Sequence, residues 1–287
     1  MSTCVTIVVP VFNAAPWIER CAVSLLNQEV DARLDIVFVD NNSSDISVRL
    51  IPPDPRIRVT SQPQQGAYAA RNAGVALAHG DYLLFTDPDC VANRAWVAGH
   101  LRTLQRPDAA ISLGRVIHGG DDRSLRLLSE YDHARQLVVF RERATNHYFG
   151  YTNNLGVTRA AWNHIGPFEH LQRGADTVFV HRAIRAWGDR AVRYAPEAIV
   201  RHLEVERLRV YFKKMHIYGR SSRGFKDAAE PGPLSWRIRR RAVALSLSKS
   251  ESKSLDCVRL AALLATGVAA WQLGYRRSGP SRSAGAR

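Results

Sequence analysis

The chain lacks the cysteine spacing, the glycine-rich loops and the long apolar run that would each assign it to a familiar class. Its four cysteines, Cys4, Cys21, Cys90 and Cys257, are scattered, with no Cys-x-x-Cys pair and no metal-ligand spacing. Neither a disulfide framework nor a structural zinc site is expected, and the four read as reduced core thiols of a cytosolic protein. Both phosphate-binding fingerprints, G-x-G-x-x-G and G-x-x-x-x-G-K, are absent. The N-terminus has no basic start of the kind a secretory signal needs, and the apolar run over residues 5–11 ends almost at once in Asn13, so secretion is not expected. Near the other end, residues 260–273 are apolar but fall short of the ~20 residues that span a bilayer. Asp256 and Arg259 interrupt any extension. An interfacial helix and a helix packed on the main domain both stay open.

What is present is enough for one large core, or one core with a small appendage: 287 residues, 46% of them hydrophobic. The net charge of +14 is uneven. Residues 201–287 carry 19 Lys+Arg against 6 Asp+Glu, whereas residues 1–200 carry 21 against 20. A basic block of this kind attracts phosphates of lipid or nucleic acid. No nucleic-acid recognition motif or aromatic-interleaved basic platform accompanies it. The expected partner is therefore an anionic membrane surface, with the protein cytoplasmic or peripheral on the inner face of the cell membrane.

Residues 5–9 are β-branched and continuously apolar, as in a strand covered on both faces, with Pro10 as its stop. A helix with apolar Ile18, Cys21, Ala22, Leu25 and Leu26 follows, ending near Gln28. Strands are predicted at 34–40, 57–60 and 81–86, and an Ala-rich helix at 67–78. Farther on, a strand at 109–117, a helix at 124–143, two helical pieces around Asp176 and a basic amphipathic helix at 207–225 are predicted, then a low-complexity linker at 246–254. Alternating strands and helices imply an α/β fold with a mostly parallel sheet, whose ligands bind at the carboxyl ends of the strands. Asp40 and Asp87 close two of those strands and are thereby brought to one edge.

Asp87-Pro88-Asp89 puts two carboxylates one residue apart at a strand end, where a hard cation such as Mg²⁺ or Mn²⁺ would neutralise them. By itself the triplet is as compatible with a solvated turn. Its context is more specific. Val8-Val9-Pro10-Val11-Phe12-Asn13, Val39-Asp40-Asn41-Asn42-Ser43-Ser44-Asp45, Gly66-Ala67-Tyr68-Ala69-Ala70-Arg71-Asn72-Ala73-Gly74 and Phe85-Thr86-Asp87-Pro88-Asp89 occur in this order. Together they closely resemble family 2 of the inverting glycosyltransferases, with the GT-A fold, over roughly residues 4–220.

The resemblance implies that Pro10, Phe12, Asp40, Arg71 and Asp87 bind the nucleotide. Phe12 would lie against the base, Asp40 would accept from it, and Arg71 would close the pocket near it. Asp87 would be shared between ribose and metal, with Asp89 ligating the metal directly. A core aromatic, a turn cap and a helix surface charge are the structural alternatives for Phe12, Asp40 and Arg71. In the second half, Arg173-Gly174-Ala175-Asp176 looks like the family's run to its catalytic base, although the usual acidic pair is reduced here to Asp176. The alternative is a helix cap. His202, after a Pro-containing strand, matches a histidine that in relatives reaches metal or diphosphate, though a lone His is often structural.

These residues imply an enzyme moving a sugar from a nucleotide-diphosphate sugar, with UDP expected, to a glycan or lipid-linked acceptor. A nucleotidyltransferase is the alternative with a similar layout, but it needs a Gly-rich, basic loop after the first strand. Residues 1–226 are expected to form the GT-A domain, with a nucleotide half at 1–106 and an acceptor half at 107–226. A basic linker and C-terminal helix at 227–277 and a disordered tail at 278–287 would follow.

Overall fold

The first strand, β1 (Cys4–Val11), is buried from Val5 onward because β2 (Arg33–Asp40) and β4 (Tyr82–Thr86) pair with it on either side, both in parallel. Residues with no solvent-facing side need no polar alternation. Pro10 does not stop this strand. Pairing with β4 ends at Val8, so Pro10 lies where only β2 borders the strand and a missing N–H is tolerated.

The computed structural model describes residues 3–222, 234–248 and 250–277. The tail expected at 278–287 and the end of the helix expected at 207–225 lie outside them. β3 (Ile57–Ser61), β5 (Cys90–Ala92), β6 (Ile111–His118), β7 (Asn154–Thr158) and β8 (Val192–His202) complete one eight-stranded sheet in the order β3-β2-β1-β4-β7-β6-β8-β5. The first four strands in that order are parallel, β7 runs against both neighbours, and β5 runs against β8. In β8, the register slips from Gly114↔Ala195 to Arg115↔Ile199, and exposed Pro196 and Glu197 occupy the bulge, where a proline does least harm.

Alternation across the sheet separates two cores. Val8, Val37, Val39, Leu83 and Phe85 face α2 (Ala67–Ala76), α5 (Arg159–Ile165) and α6 (Ala175–Trp187). Val5, Ile7, Val9, Ile36 and Leu84 face α1 (Ile18–Leu26) and α3 (Trp96–Leu104). Helix α2 approaches the sheet so closely that a Cβ at Gly74 would sit 2.4 Å from Val8 Cγ1. That contact holds Arg71, one turn earlier, at the strand ends.

A third apolar cluster joins α4 (Arg123–Arg141), α7 (Leu208–Ser221), α8 (Trp236–Ser246) and α9 (Lys253–Arg277). Contrary to the sequence expectation, Asp256 and Arg259 do not limit the last helix. Asp256 is buried in its first turn and is held by Arg123 through Nε–Oδ1 at 2.8 Å and Nη2–Oδ2 at 2.9 Å. An acid is favoured at a helix start, and the arginine removes the cost of burying it. The resulting 25-residue helix is long and apolar enough, by length and composition, to cross a bilayer, with one face packed on the protein. Cys257 on its outer side is exposed and Cys4 is partly so, which leaves Cys21 and Cys90 as the buried thiols.

Helices α7 and α9 cross at two glycines. A Cβ at Gly219 would lie 2.0 Å from Trp271 O, and one at Gly274 would lie 2.0 Å from His216 O. Gly274→Val is therefore expected to lift α9 from α7 by overpacking, at a cost of roughly 1–3 kcal/mol. Faster amide exchange over 260–277 than in the unmodified chain is the result to look for.

Candidate active site

The carboxyl ends of β1, β2 and β4 meet at one edge, and the loops there are fastened to one another before any functional residue is considered. Asn13, in the left-handed region at φ 48°, accepts from Ser44 N, and Asp45 accepts from Ala15 N. Asn41 is buried and ties the end of β2 to the loop at 62–66: it donates to Gln62 O and Gln64 O and accepts from Gly66 N. Phe12 emerges between these loops with 52% of its surface exposed, which excludes the core role. Asp40, half-buried at the end of β2, accepts from Ser43 N at 3.2 Å and so does cap its turn. Pro10 is buried opposite Val39.

Arg71 is not a surface charge. It is 3% exposed, ion-paired with Asp87, with its guanidinium 5.7 Å from the Tyr68 ring centroid. Asp87 and Asp89 consequently point to different partners. Asp89 Oδ2 lies 2.9 Å from His202 Nε2, at the end of β8, and Lys214 Nζ on α7 lies 3.1 Å from that same nitrogen and 2.5 Å from Glu204 Oε2. Burial raises the pKa of Asp89, but the hydrogen bond and charge of His202, together with Lys214, outweigh it and hold the carboxyl below its usual range. Lys214 is the reverse case of the same rule. Burial would lower it, yet Tyr218, Glu204 and Asp89 keep it raised.

The donors present suit a divalent cation. Ligand atoms of Asp89, Cys90 and His202 lie within 4.8 Å of one another. Burial and the neighbouring Asp89 and Asp87 charges push the Cys90 thiol well up, so it stays neutral and a poor ligand for a hard ion. Asp89 and His202 remain as the oxygen and nitrogen donors. One imidazole nitrogen cannot both donate to Asp89 and accept from Lys214, and a cation between the first two would end that competition.

Asp176 lies in the first turn of α6, whose N-cap is Gly174 at φ 88°, so it is not the helix cap. It is half-buried and accepts from Thr177 N at 2.9 Å and Thr152 N at 3.3 Å. Burial raises its pKa against the opposing pull of these amides, Arg71 and the Tyr68 hydroxyl. Arg71 thus connects Asp87 to Asp176, bringing residues about 90 positions apart to one cleft. Lys214, Glu204, Tyr218 and Thr152 were not recognisable in the sequence as members of this site.

The sequence profile of Glycosyl transferase family 2 matches residues 6–166, more than half of the chain. The chain belongs to glycosyl transferase family 2. Within the family, it is 27% identical over 193 residues to glycosyltransferase AglE of Haloferax volcanii, covering 63% of this chain and 62% of that one. It is 33% identical over 207 residues to the succinoglycan biosynthesis protein ExoO of Rhizobium meliloti, covering 66% and 58%. The chain therefore spans about three fifths of these relatives' length. Among solved structures, the mannosyltransferase PcManGT of Pyrobaculum calidifontis, in complex with GDP-Man and Mn²⁺, superposes with a TM-score of 0.58 at 18% identity, covering 92% of this chain and 75% of that one. Glucosyl-3-phosphoglycerate synthase of Mycobacterium tuberculosis, with Mn²⁺, UDP and glucosyl-3-phosphoglycerate, gives 0.57 at 14% identity, covering 81% and 82%. At these identities the likeness carries the GT-A fold.

Proposed function

We propose that this chain is an inverting glycosyltransferase that moves a sugar from a nucleotide-diphosphate donor, most consistent with a UDP-sugar, to a hydroxyl of a glycan or lipid-linked acceptor. The observation that carries the reading is the charge chain of Asp176, Arg71 and Asp87: the half-buried Asp176, its pKa raised, feels the charge of Arg71, and Arg71 is ion-paired with Asp87. Asp176 takes the acceptor hydroxyl proton as its oxygen bonds to the anomeric carbon and the bond to the diphosphate breaks, so one displacement inverts the centre. The amides of Thr152 and Thr177 fix the direction of the carboxylate. The exposed Phe12 ring offers a stacking face for the base, with Asp40 accepting from a ring N–H. Arg71 positions Asp87 toward the ribose.

Asp89 and His202 would hold Mg²⁺ or Mn²⁺, and such a cation would supply positive charge against the leaving diphosphate; the resemblance also assigns Asp87 to it, whereas here Asp87 is paired with Arg71 and lies outside that group of ligand atoms. The two solved structures named above contain Mn²⁺, which supports the assignment. Lys214 adds a second positive charge at the same place. Lys214→Met is expected to weaken nucleoside diphosphate binding roughly tenfold in calorimetry, with the unphosphorylated nucleoside unaffected.

A panel of sugar nucleotides with and without Mn²⁺ tests the donor reading by thermal shift. One donor at 100 times its Kd should add about 2.7 kcal/mol of stability, only with metal present. No shift with any sugar nucleotide would refute it. The basic C-terminal third is placed by the same proposal at an anionic membrane surface, near its acceptor. Arg239 and Arg240 on α8, with exposed Trp236, and the exposed Leu255, Val258, Val268 and Leu273 on α9, support this. Co-sedimentation with anionic vesicles should weaken as salt rises; salt-independent binding, or none, counts against it.

A further inference from the structure

Away from the cleft, the protein has a cavity of about 740 Å³ between the end of α3, the end of α4 and the start of β8. Arg102, Arg106, Arg141, Arg143, Arg190 and Arg193 line it. Residues 1–200 are almost neutral overall, with 21 basic and 20 acidic side chains, so six arginines around one cavity are a product of the fold and not of composition. The acids nearby do not balance them. Glu197 pairs with Arg102, Asp189 with Arg143 at 3.4 Å, and Asp108 with Arg193 at 2.5 Å. Glu142, beside Arg141, is turned instead to Arg237 and Arg241 of α8. Among the described residues, Arg106 and Arg141 make no ion pair, and Arg193 Nε is buried without a hydrogen-bond partner. Like charges gathered in a concave site repel unless an anion joins them, and guanidinium groups suit phosphate oxygens in particular. The cavity also has an aromatic wall. Phe140 stacks on Tyr148 at 4.1 Å and on Tyr194 at 5.9 Å between ring centroids, which offers an apolar face beside the arginines.

We infer that this cavity binds a small phosphorylated ligand, its phosphates on the arginines and its body against Phe140 and Tyr194. It is separate from the donor cleft. Along strand β8 the cavity lining ends at Glu197, and His202 at the proposed metal site is five residues farther on, roughly 16 Å along the strand. The volume suits a molecule of metabolite size.

The test is calorimetry on the full chain with sodium tripolyphosphate in EDTA, which removes metal-dependent binding at the donor cleft. Arg106→Ser/Arg141→Ser should weaken binding at least tenfold, because two charge-assisted contacts are lost. Both side chains are exposed, so the melting temperature should be unchanged. Arg276→Ser/Arg277→Ser, which removes the same charge from the end of α9, should leave affinity within about twofold. A second arm adds phosphatidic acid vesicles. If they displace tripolyphosphate from the unmodified chain, the phosphate belongs to a lipid headgroup; if they do not, it belongs to a soluble molecule. Equal losses in the two double variants, no loss in the first, or no binding by the unmodified chain would overturn the site.

Discussion

Asp176→Asn is expected to lower sugar transfer by roughly 10²–10⁴-fold, the contribution of a positioned general base, while metal-dependent donor binding stays within about twofold. Thr177 N bonds to one carboxylate oxygen and Thr152 N to the other, so asparagine keeps the shape but satisfies only one of the two amides, and unchanged donor binding is the check that the site is intact. Stability gives an independent reading of the same residue. Burial raises the folded-state pKa of Asp176 above the ordinary carboxylate value near 4. A carboxyl shifted upward contributes stability below that ordinary value and loses it as pH rises through the folded value. The melting temperature of the asparagine variant relative to the unmodified protein should therefore be higher at pH 8 than at pH 4. Transfer should fall on the acid side as Asp176 takes up its proton. Full activity in the variant would mean that another group is the base.

Asp89→Ala should abolish the Mn²⁺-dependent part of nucleotide binding and reduce transfer by roughly 100-fold or more, as loss of charge stabilisation at the leaving group requires. Binding measured without metal should change little. The pH dependence of stability has the opposite sign here. The folded-state pKa of Asp89 is lowered, so its contribution is present above the ordinary value and is lost as pH falls through the folded one. Asp89→Asn should accordingly melt lower than the unmodified chain at pH 7, with the gap closing in acid. Unchanged Mn²⁺ dependence in the alanine variant would remove Asp89 from the metal site.

The strand ends that carry this chemistry were legible because their signals are local. Residues 5–9 and 34–40 are apolar runs whose strand character depends on neighbours a few positions away, and the polar residues after them mark the binding edge. Asp40 and Asp87 follow such apolar runs in the chain, and they do lie at the ends of β2 and β4. Two boundaries were less legible. Pro10 is tolerated inside β1 because the ladder with β4 has already ended, and that depends on a strand some 75 residues away. Asp256 is tolerated inside α9 because Arg123 reaches it across the fold.

The division between sequence and tertiary structure is sharpest at Lys213-Lys214. The amino-acid pattern alone determined the α/β class, the family resemblance and the basic character of α7. Only the tertiary structure decided that Lys214 turns inward to His202 while Lys213 stays exposed. A helix's rotation about its own axis is set by what packs on it, and for α7 that contact is the glycine crossing with α9. The same holds for the separation of Asp87 from Asp89. Two carboxylates separated by a single proline acquire different partners because Arg71 comes from α2 and His202 from β8, and no local rule relates those elements.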